Sequence, residues 1–322
     1  MSVGVAVRRC LSLKKNGAAN GTLCLVPRCA EGIYCVVNFS SDRIAMRHNA
    51  PDSLASLLAA RYGTTTACPI PANDTLNGLL SHRSVRAFSA TPLAEGTLEL
   101  LVAAAQSAST SSNLQTWSVV AVEDPQRKER LSVLANNQDF VRSCPLFLVW
   151  IADLSRLQTL GLKREKPHES LEFLEMLLMA TIDATLAAQN AAVAAESLGL
   201  GVVYVGAIRN HADQVARELG LPAKSFATFG MCVGHPDTAR PAAIKPRLPQ
   251  TAVLHRETYD DGVIHDTIEG YNATMDDFYR QQNMKPLGPW DLHSLNRVRG
   301  VDALQGRERL VEILKAFGFG LR

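Results

Sequence analysis

The 322-residue sequence lacks the signals of several common protein classes. Its apolar segments stay shorter than the roughly 18 residues that a transmembrane helix needs, because Asp183, Gln189, Asn190 and Glu196 interrupt the alanine-rich stretch at 180–198. Its net charge of +2 lacks the basic excess of a nucleic-acid-binding protein, and its 47% hydrophobic content excludes a disordered chain. These absences predict a soluble, folded protein with no membrane span and no nucleic-acid partner.

Catalytic and metal-binding motifs are also absent. The seven cysteines form no CxxC pair, no histidine lies at a metal-ligand spacing, and no metal site is predicted. There is no GxSxG, HExxH or Walker loop. The GLG at 199–201 follows a predicted helix and precedes a strand, which is the reverse of the Rossmann order. An enzyme with this sequence is expected to use no catalytic side chain and to depend on a bound cofactor.

Acidic residues are missing from the first 30 positions, which contain five basic residues. This imbalance is typical of an organelle-targeting peptide, although asparagine and glycine at 16, 17, 20 and 21 break any amphipathic helix early. Two interpretations stay open, a targeting segment and a poorly structured N-terminal extension. Residues 1–50 are therefore set apart from a domain at 51–322. A cytoplasmic location is favoured, and a mitochondrial one is the alternative.

Predicted strands and helices are intermixed along residues 51–322. Strands are predicted at WSVVAVED, PLFLVWIAD, GVVYVGAI and FATFGMCVG, and the second is apolar at consecutive positions, as in a strand buried on both faces. The longest helix is predicted at 169–198, where many alanines permit close approach to another helix. Helical mass exceeds sheet mass, which predicts an α+β sandwich around one mixed sheet.

Two stretches contain basic residues and no acidic ones. The first is SHRSVRAF at 81–88, in an acid-free segment between Asp74 and Glu95, where a predicted helix reaches its C-terminal end. One interpretation is a solvated basic helix end, which suits the helix dipole. The other is a phosphate site, because the arginine fork binds phosphate oxygens through paired hydrogen bonds.

The second basic stretch is AIKPRLP at 243–249. Its prolines hold the chain extended, so Lys245 and Arg247 are predicted to project on the same side. Alone, this stretch is typical of a solvated loop. Two acid-free basic clusters on rigid backbone together favour one shared phosphate group.

Two further stretches each have a structural and a binding interpretation. The hydroxyl-rich SASTSSNLQ at 107–115 is either a flexible linker or a source of donors for a polar heteroaromatic rim. The strand that ends in YVGA at 204–207 is either a packed core strand or a place where small residues let a flat ligand approach the backbone.

Taken together, these stretches resemble the nitroreductase family of FMN flavoproteins, specifically its branch of NADPH-dependent flavin reductases and major oxygen-insensitive nitroreductases. The resemblance runs from about residue 75 to residue 320, with the motifs in order. They are HRSVRAF (82–88), SASTSSNLQ (107–115), NNQ (136–138), AAQNAAVAAESLGLGVVYVGAIRN (187–210), FGMCVGHP (229–236) and KPRLP (245–249).

The resemblance implies bound FMN and assigns residues to each part of it. The ribityl phosphate and the pyrimidine edge would contact the first basic stretch, through His82, Arg83, Ser84 and Arg86. The second basic stretch would close on the phosphate with Lys245 and Arg247. The flavin ring would be lined by Thr110, Ser111 and Gln138, and the ring near its N5 atom would meet the backbone of Tyr204, Val205, Gly206 and Ala207.

Two positions depart from the family pattern. The branch commonly has two glycines at 206 and 207, so the methyl of Ala207 is expected to narrow access to N5. The arginine-containing loop that binds the NADPH 2′-phosphate is altered here by two prolines, and Arg280 and Lys285 are the nearest candidates. NADPH is expected as the electron donor ahead of NADH.

The resemblance also implies an assembly and a reaction. We expect a domain-swapped homodimer with two FMN sites at its interface, the 169–198 helix at the contact and a C-terminal arm around the partner. NADPH would deliver hydride to FMN N5 and leave, and a nitroaromatic, a quinone or free flavin would then take two electrons. Chromate, azo dyes and halogenated phenols are further acceptors within the family. The alternative is a flavin-binding carrier or redox sensor without efficient turnover.

Overall fold

Four strands in one sheet and eleven α-helices make up the described part of the protein. The computed structural model describes residues 54–63 and 71–322, which lie in one unit that begins at Asp52. This content confirms the predicted α+β class. The predicted N-terminal extension at 1–50 lies outside the described residues.

The sheet has the strand order β1, β2, β4, β3, and each of its three pairings is antiparallel. The predicted mixed sheet is therefore corrected, since the parallel contact is an isolated bridge between Ser84 and Val202. Apolar runs reveal that strands are buried but not which way they run. The strands are β1 (Trp117–Val122), β2 (Leu146–Asp153), β3 (Gly201–Val205) and β4 (Ser225–Gly234).

The long helix predicted at 169–198 begins later than expected, at Leu174, and ends at Ser197, while Glu169–Glu172 form a separate 3-10 helix. The helices are α1 (Leu54–Tyr62), α2 (Asp74–Leu80), α3 (Thr97–Gln106), α4 (Pro125–Leu134), α5 (Asp139–Ser143), α6 (Ser155–Arg164), α7 (Leu174–Ser197), α8 (Ala212–Leu219), α9 (Val263–Gln281), α10 (Trp290–Arg297) and α11 (Leu310–Ala316).

The sheet is covered on both faces, which produces a three-layer core. Every residue of β2 is buried, as its continuous apolar run predicts. Phe147, Val149 and Ile151 belong to the cluster on one face, which also contains residues of α4 and α8. Leu148 and Trp150 belong to the cluster on the other face, with α3 and α7. The alternation along β2 thus fixes which helices lie on each side.

The longest helix, α7, packs an alanine-rich face inside its own subunit. These alanines lie in the same core cluster as residues of α3 and the sheet, which confirms the predicted close approach to another helix. The expectation that they contact a partner subunit is wrong, because they are at most 1% exposed within the single chain. They are Ala184, Ala187, Ala188, Ala191, Ala192 and Ala195.

The opposite face of α7 carries a stripe of exposed apolar residues at intervals of four. Leu174, Leu178, Ile182 and Leu186 are 46%, 51%, 58% and 43% exposed. Positions four apart lie on the same side of a helix, so the four side chains form one continuous surface. Among the described helices α7 is also long and apolar enough to cross a membrane, a test that the buried core helix of a soluble protein passes equally.

Candidate functional site

The two acid-free basic stretches meet in one cavity of about 260 Å³, here called the basic cavity. Among the described residues, its wall contains five cationic side chains and a histidine, and no carboxylate. These are Arg61, His82, Arg83, Arg86, Lys245 and Arg247, with Ser84, Ala242, Ala243, Phe278, Gln282 and Met284 completing the lining. All six residues predicted for the phosphate thus lie in one place.

The backbone of the first basic stretch is fixed against strand β3. Helix α2 ends at Leu80 with Ser81 as its C-cap, as predicted, so the arginines lie just beyond the helix end. Ser84 pairs with Val202, and the Val85 N–H donates to the Val202 carbonyl at 2.9 Å. Gly201 permits this approach, since a Cβ there would lie 2.6 Å from a methyl of Val85. The arginines therefore project from extended backbone beside the sheet.

The charges in the basic cavity repel one another. Burial, Arg86 and Arg247 together lower the pKa of the Lys245 ammonium below its ordinary value. Burial lowers the pKa of the Arg61 guanidinium in the same way, with Arg247 as a second cause. Such mutual repulsion is relieved by an anion, and a phosphate dianion accepts hydrogen bonds from several cations at once. The lining therefore fits a phosphate group.

A carboxylate does stand at the edge of the basic cavity. Glu196, near the end of α7, lies 2.7 Å from His82 Nδ1. Burial and, to a smaller extent, the negative charge of Glu196 raise the pKa of the Tyr204 hydroxyl above its ordinary value. Glu196 thus connects the first basic stretch to the end of β3, where the flavin ring was predicted.

The end of β3 offers backbone rather than reactive side chains. Tyr204 is 37% exposed, and its hydroxyl lies 3.3 Å from Gln189 Oε1. Val205 is buried, and apart from its two chain neighbours Arg209 is the one described residue within 4 Å of a Cβ built on Gly206. Ala207 packs against the core cluster on one face of the sheet, so the protein covers part of its methyl.

The hydroxyl-rich loop lies elsewhere in the subunit, because Thr110 and Ser111 do not line the basic cavity. Three residues of the loop have left-handed backbone: Ser112, Asn113 and Gln115, with φ of 48°, 56° and 53°. Non-glycine residues adopt this conformation at a cost of about 1–3 kcal/mol each, and only where surrounding contacts hold them. The loop therefore has a defined backbone conformation, which favours the binding interpretation over the flexible linker.

The contact that holds this loop is Asp183 of α7, which is 1% exposed. Its carboxylate accepts hydrogen bonds from the Ser111 N–H at 3.0 Å and from the Thr116 N–H and hydroxyl at 3.1 and 2.9 Å. A single buried side chain therefore sets the position of both ends of the predicted flavin loop.

Replacing Asp183 by asparagine is expected to lower the free energy of unfolding by about 2–4 kcal/mol, because an amide oxygen replaces a carboxylate and buried donors lose a partner. Urea unfolding monitored by circular dichroism measures this change. The matched control is Asp213→Asn on α8, whose ion pair with Arg217 is partly exposed and contributes about 1 kcal/mol or less. Equal losses in the two variants would contradict the role of Asp183.

The remaining predicted residues also lie outside the basic cavity. Gln138 precedes α5, and its carbonyl accepts a hydrogen bond from the Ser132 hydroxyl at 2.9 Å. Arg280 forms an exposed ion pair with Asp277, and Lys285 is exposed. Phe278, Gln282 and Met284 line the basic cavity, so the two NADPH candidates are close in sequence to its lining but are not part of it.

Sequence patterns missed two charged residues of this region. Arg61 closes an apolar helix, where a cation is also explained by the helix dipole. Glu196 lies 114 residues from its histidine partner. No local signal connects either residue with the basic stretches.

Fold and site together define a class: an α+β protein whose basic cavity, beside the end of an antiparallel sheet, fits a phosphate-bearing ligand. The chain belongs to the nitroreductase family. The family model "Nitroreductase family" matches residues 79–235, and "Nitroreductase family, C-terminal domain" matches residues 245–322. The predicted resemblance is confirmed.

Known relatives agree with this assignment. The chain is 44% identical over 229 residues to "FMN reductase (NADPH)" of Bacillus subtilis, covering 70% of this chain and 91% of that protein. It is 37% identical to "NADPH-flavin oxidoreductase" of Vibrio harveyi, covering 78% of this chain and all of that protein. The structure of NfrA1 nitroreductase from B. subtilis superposes with a TM-score of 0.72 at 40% identity, covering 77% of this chain and 99% of that one.

Proposed function

We propose that the protein is an FMN-dependent NAD(P)H oxidoreductase of the nitroreductase and flavin reductase type. The observation that carries this proposal is the basic cavity, which is lined by five cations and by no carboxylate of the described residues, and whose Ser84 pairs with Val202 near the beginning of β3. The relatives named FMN reductase (NADPH) and NADPH-flavin oxidoreductase support the same cofactor and donor. The structure of the V. harveyi protein "complexed with NAD+" is 36% identical, with a TM-score of 0.69.

The residues of the basic cavity would hold the FMN phosphate from two sides. Arg83 and Arg86 project from one wall and Lys245 and Arg247 from the other, and guanidinium groups match phosphate geometry. Lys245 Nζ also lies 5.9 Å from the centre of the Phe278 ring, which helps to fix its position. We assign His82 and Ser84 to the pyrimidine side of the same site.

The ring of the flavin would lie along the end of β3, where Tyr204, Val205, Gly206 and Ala207 present backbone groups. When bound, FMN supplies the redox chemistry by accepting two electrons from a nicotinamide and passing them to an acceptor. The chain contributes cations and N–H donors that stabilise added negative charge. Because FMN would supply the redox chemistry, the chain would need no conspicuous catalytic acid or base.

A homodimer would complete the site. Thr110, Ser111 and Gln138 lie outside the basic cavity of their own subunit, and we assign them to the flavin of the partner's site because the family resemblance implies FMN sites at the dimer interface. The exposed stripe on α7 is the surface that we assign to the dimer contact, because a soluble monomer rarely exposes a continuous apolar face. Residues 51–322 would form the domain, with the C-terminal segment wrapping the partner.

The acceptors that we propose are nitroaromatics, quinones and free flavin, and the compartment is the cytoplasm, as for soluble flavin reductases. Arg280 and Lys285, which are close in sequence to lining residues of the basic cavity, are our candidates for the 2′-phosphate of NADPH. The Ala207 methyl favours one competing function, a flavin-binding carrier or sensor that reacts slowly with donors and acceptors.

Stopped-flow mixing separates these functions. We expect NADPH to bleach the bound flavin at least about tenfold faster than NADH at equal, subsaturating concentration, because one charge-assisted contact to the 2′-phosphate contributes about 1.5–3 kcal/mol. Adding menadione or nitrofurazone should then restore the absorbance. A Lys285→Ala variant should lose part of the preference for NADPH, whereas Lys315→Ala, on α11, should keep it.

If the bound flavin stays oxidised with both NADPH and NADH, the oxidoreductase function is excluded and the carrier or sensor function is favoured. Equal bleaching rates with NADPH and NADH would keep the oxidoreductase but remove the assignment of the 2′-phosphate contact.

A further inference from the structure

Helix α1 (Leu54–Tyr62) precedes both segments that match the family models, which begin at residues 79 and 245. It nevertheless contributes a side chain to the basic cavity. Arg61, in the last turn of α1, lines the cavity and is only 6% exposed. The family assignment therefore does not account for this residue.

Arg61 connects the two basic stretches by hydrogen bonds. Its Nη2 donates to the carbonyls of Leu80 and His82 at 2.8 and 2.9 Å, and its Nη1 donates to the carbonyl of Lys245 at 2.9 Å. Its own carbonyl accepts from the Arg247 N–H at 2.8 Å. A single residue thus contacts the backbone on both sides of the cavity, across 184 positions of sequence in one case.

These contacts hold together two walls that repel each other electrostatically. Arg83 and Arg86 project from one wall and Lys245 and Arg247 from the other, and none of the residues that line the cavity is acidic. Without Arg61, the carbonyls of Leu80, His82 and Lys245 lose a charged donor, and the walls are free to separate. Planar guanidinium geometry matters here, because a lysine ammonium is a point charge that does not reproduce the fork.

The charge of Arg61 is compensated by the carbonyl dipoles and by the more distant Glu196. Arg61 is therefore expected to act on a bound anion through the two stretches that it joins.

We propose that Arg61 is a positioning residue that sets the spacing of the two cationic walls for a phosphate monoester dianion. Helix α1 is then a functional part of the cofactor site. The inference rests on the proposed function, since the ligand in question is the phosphate of FMN.

The test compares FMN with riboflavin, which has the same ring and no phosphate. Flavin-free full-length protein is titrated with each ligand while flavin fluorescence is recorded. We expect Arg61→Ala to weaken FMN binding by about ten- to a hundred-fold, which is the loss that corresponds to one charge-assisted hydrogen bond. Riboflavin binding should change by less than about threefold. Arg61→Lys should recover only part of the FMN affinity.

Arg217→Ala is the matched control, because Arg217 is a 70% exposed arginine near the end of α8 that does not line the basic cavity. It should bind both flavins as the wild type does. Equal weakening of FMN and riboflavin by Arg61→Ala would show a general structural role and overturn the proposal. Unchanged FMN affinity would overturn it as well, and full recovery by Arg61→Lys would reduce Arg61 to a simple charge.

The wild-type titration separates this inference from the proposed function. If the wild type binds riboflavin as tightly as FMN, the phosphate assignment of the basic cavity fails. If it prefers FMN and Arg61→Ala keeps that preference, only the role of Arg61 fails.

Discussion

A protein in which Arg86 and Arg247 are both replaced by alanine is expected to purify without flavin colour. The two guanidinium groups come from opposite walls of the basic cavity, so the double variant removes a cation from each side of the proposed phosphate position. Each charge-assisted contact contributes about 1.5–3 kcal/mol, so the loss of both should weaken FMN binding by a factor of about 10² to 10⁴. The absorbance ratio of flavin to protein after purification, followed by titration with FMN, measures this effect.

The fold itself should tolerate these substitutions. Both side chains remain accessible to solvent, and removing two like charges relieves the repulsion that lowers the pKa of Lys245. Circular dichroism and thermal unfolding of the flavin-free forms check this point. The matched control replaces Arg217 and Arg309, two arginines in exposed ion pairs, and should keep its flavin. A double variant at 86 and 247 that retains full flavin would refute the phosphate site.

Placing glutamate at both Leu178 and Ile182 is expected to convert the proposed homodimer into monomers. These residues form the middle of the exposed stripe on α7, and glutamate there would introduce four unpaired carboxylates into one symmetric interface. Burying unpaired charges costs several kcal/mol, which corresponds to association weakened by about a thousand-fold or more. Light scattering coupled to size-exclusion chromatography measures the mass directly.

The same variant should also lose flavin, since Thr110, Ser111 and Gln138 are proposed to reach the cofactor from the second subunit. The folded subunit should persist, because Leu178 and Ile182 are already 51% and 58% exposed in the single chain. Val133→Glu on α4, where valine is 50% exposed, is the control that should remain dimeric and yellow. If the variant with glutamate at 178 and 182 remains dimeric, the dimer interface lies on a different surface.

Most of the basic residues that line the basic cavity could be predicted, because they lie in two stretches that contain basic residues and no acidic ones. Acid-free stretches around 81–88 and 243–249 imply a missing counter-charge wherever they lie, and proline fixes the second stretch as extended backbone. The prediction that these two stretches lie together followed from the hypothesis that both bind the same anion. The end of β3 was identified for a similar reason, since small residues at 206 and 207 can be recognised without knowledge of their neighbours.

Other features depended on contacts that no local pattern contains. The alanines of α7 predicted a close helix contact but not its partner, which is α3 of the same chain rather than a second subunit. The four strands were recognised, whereas their antiparallel order was not, because the course of the helical connections determines strand direction. The hydroxyl-rich loop resembled a linker because the aspartate that fixes it lies about 70 residues away.

By itself, the sequence determined the α+β class, the family, the two basic stretches and the absence of conspicuous catalytic side chains, because periodicity, composition and short motifs are local properties. Only the tertiary structure decided that Arg61 of α1 joins those stretches, that Glu196 pairs with His82, and that leucine and isoleucine rather than alanine form the free face of α7. The physical reason is range: hydrogen bonds and packing act between atoms a few ångströms apart, and the fold brings residues to that distance across more than a hundred positions of sequence.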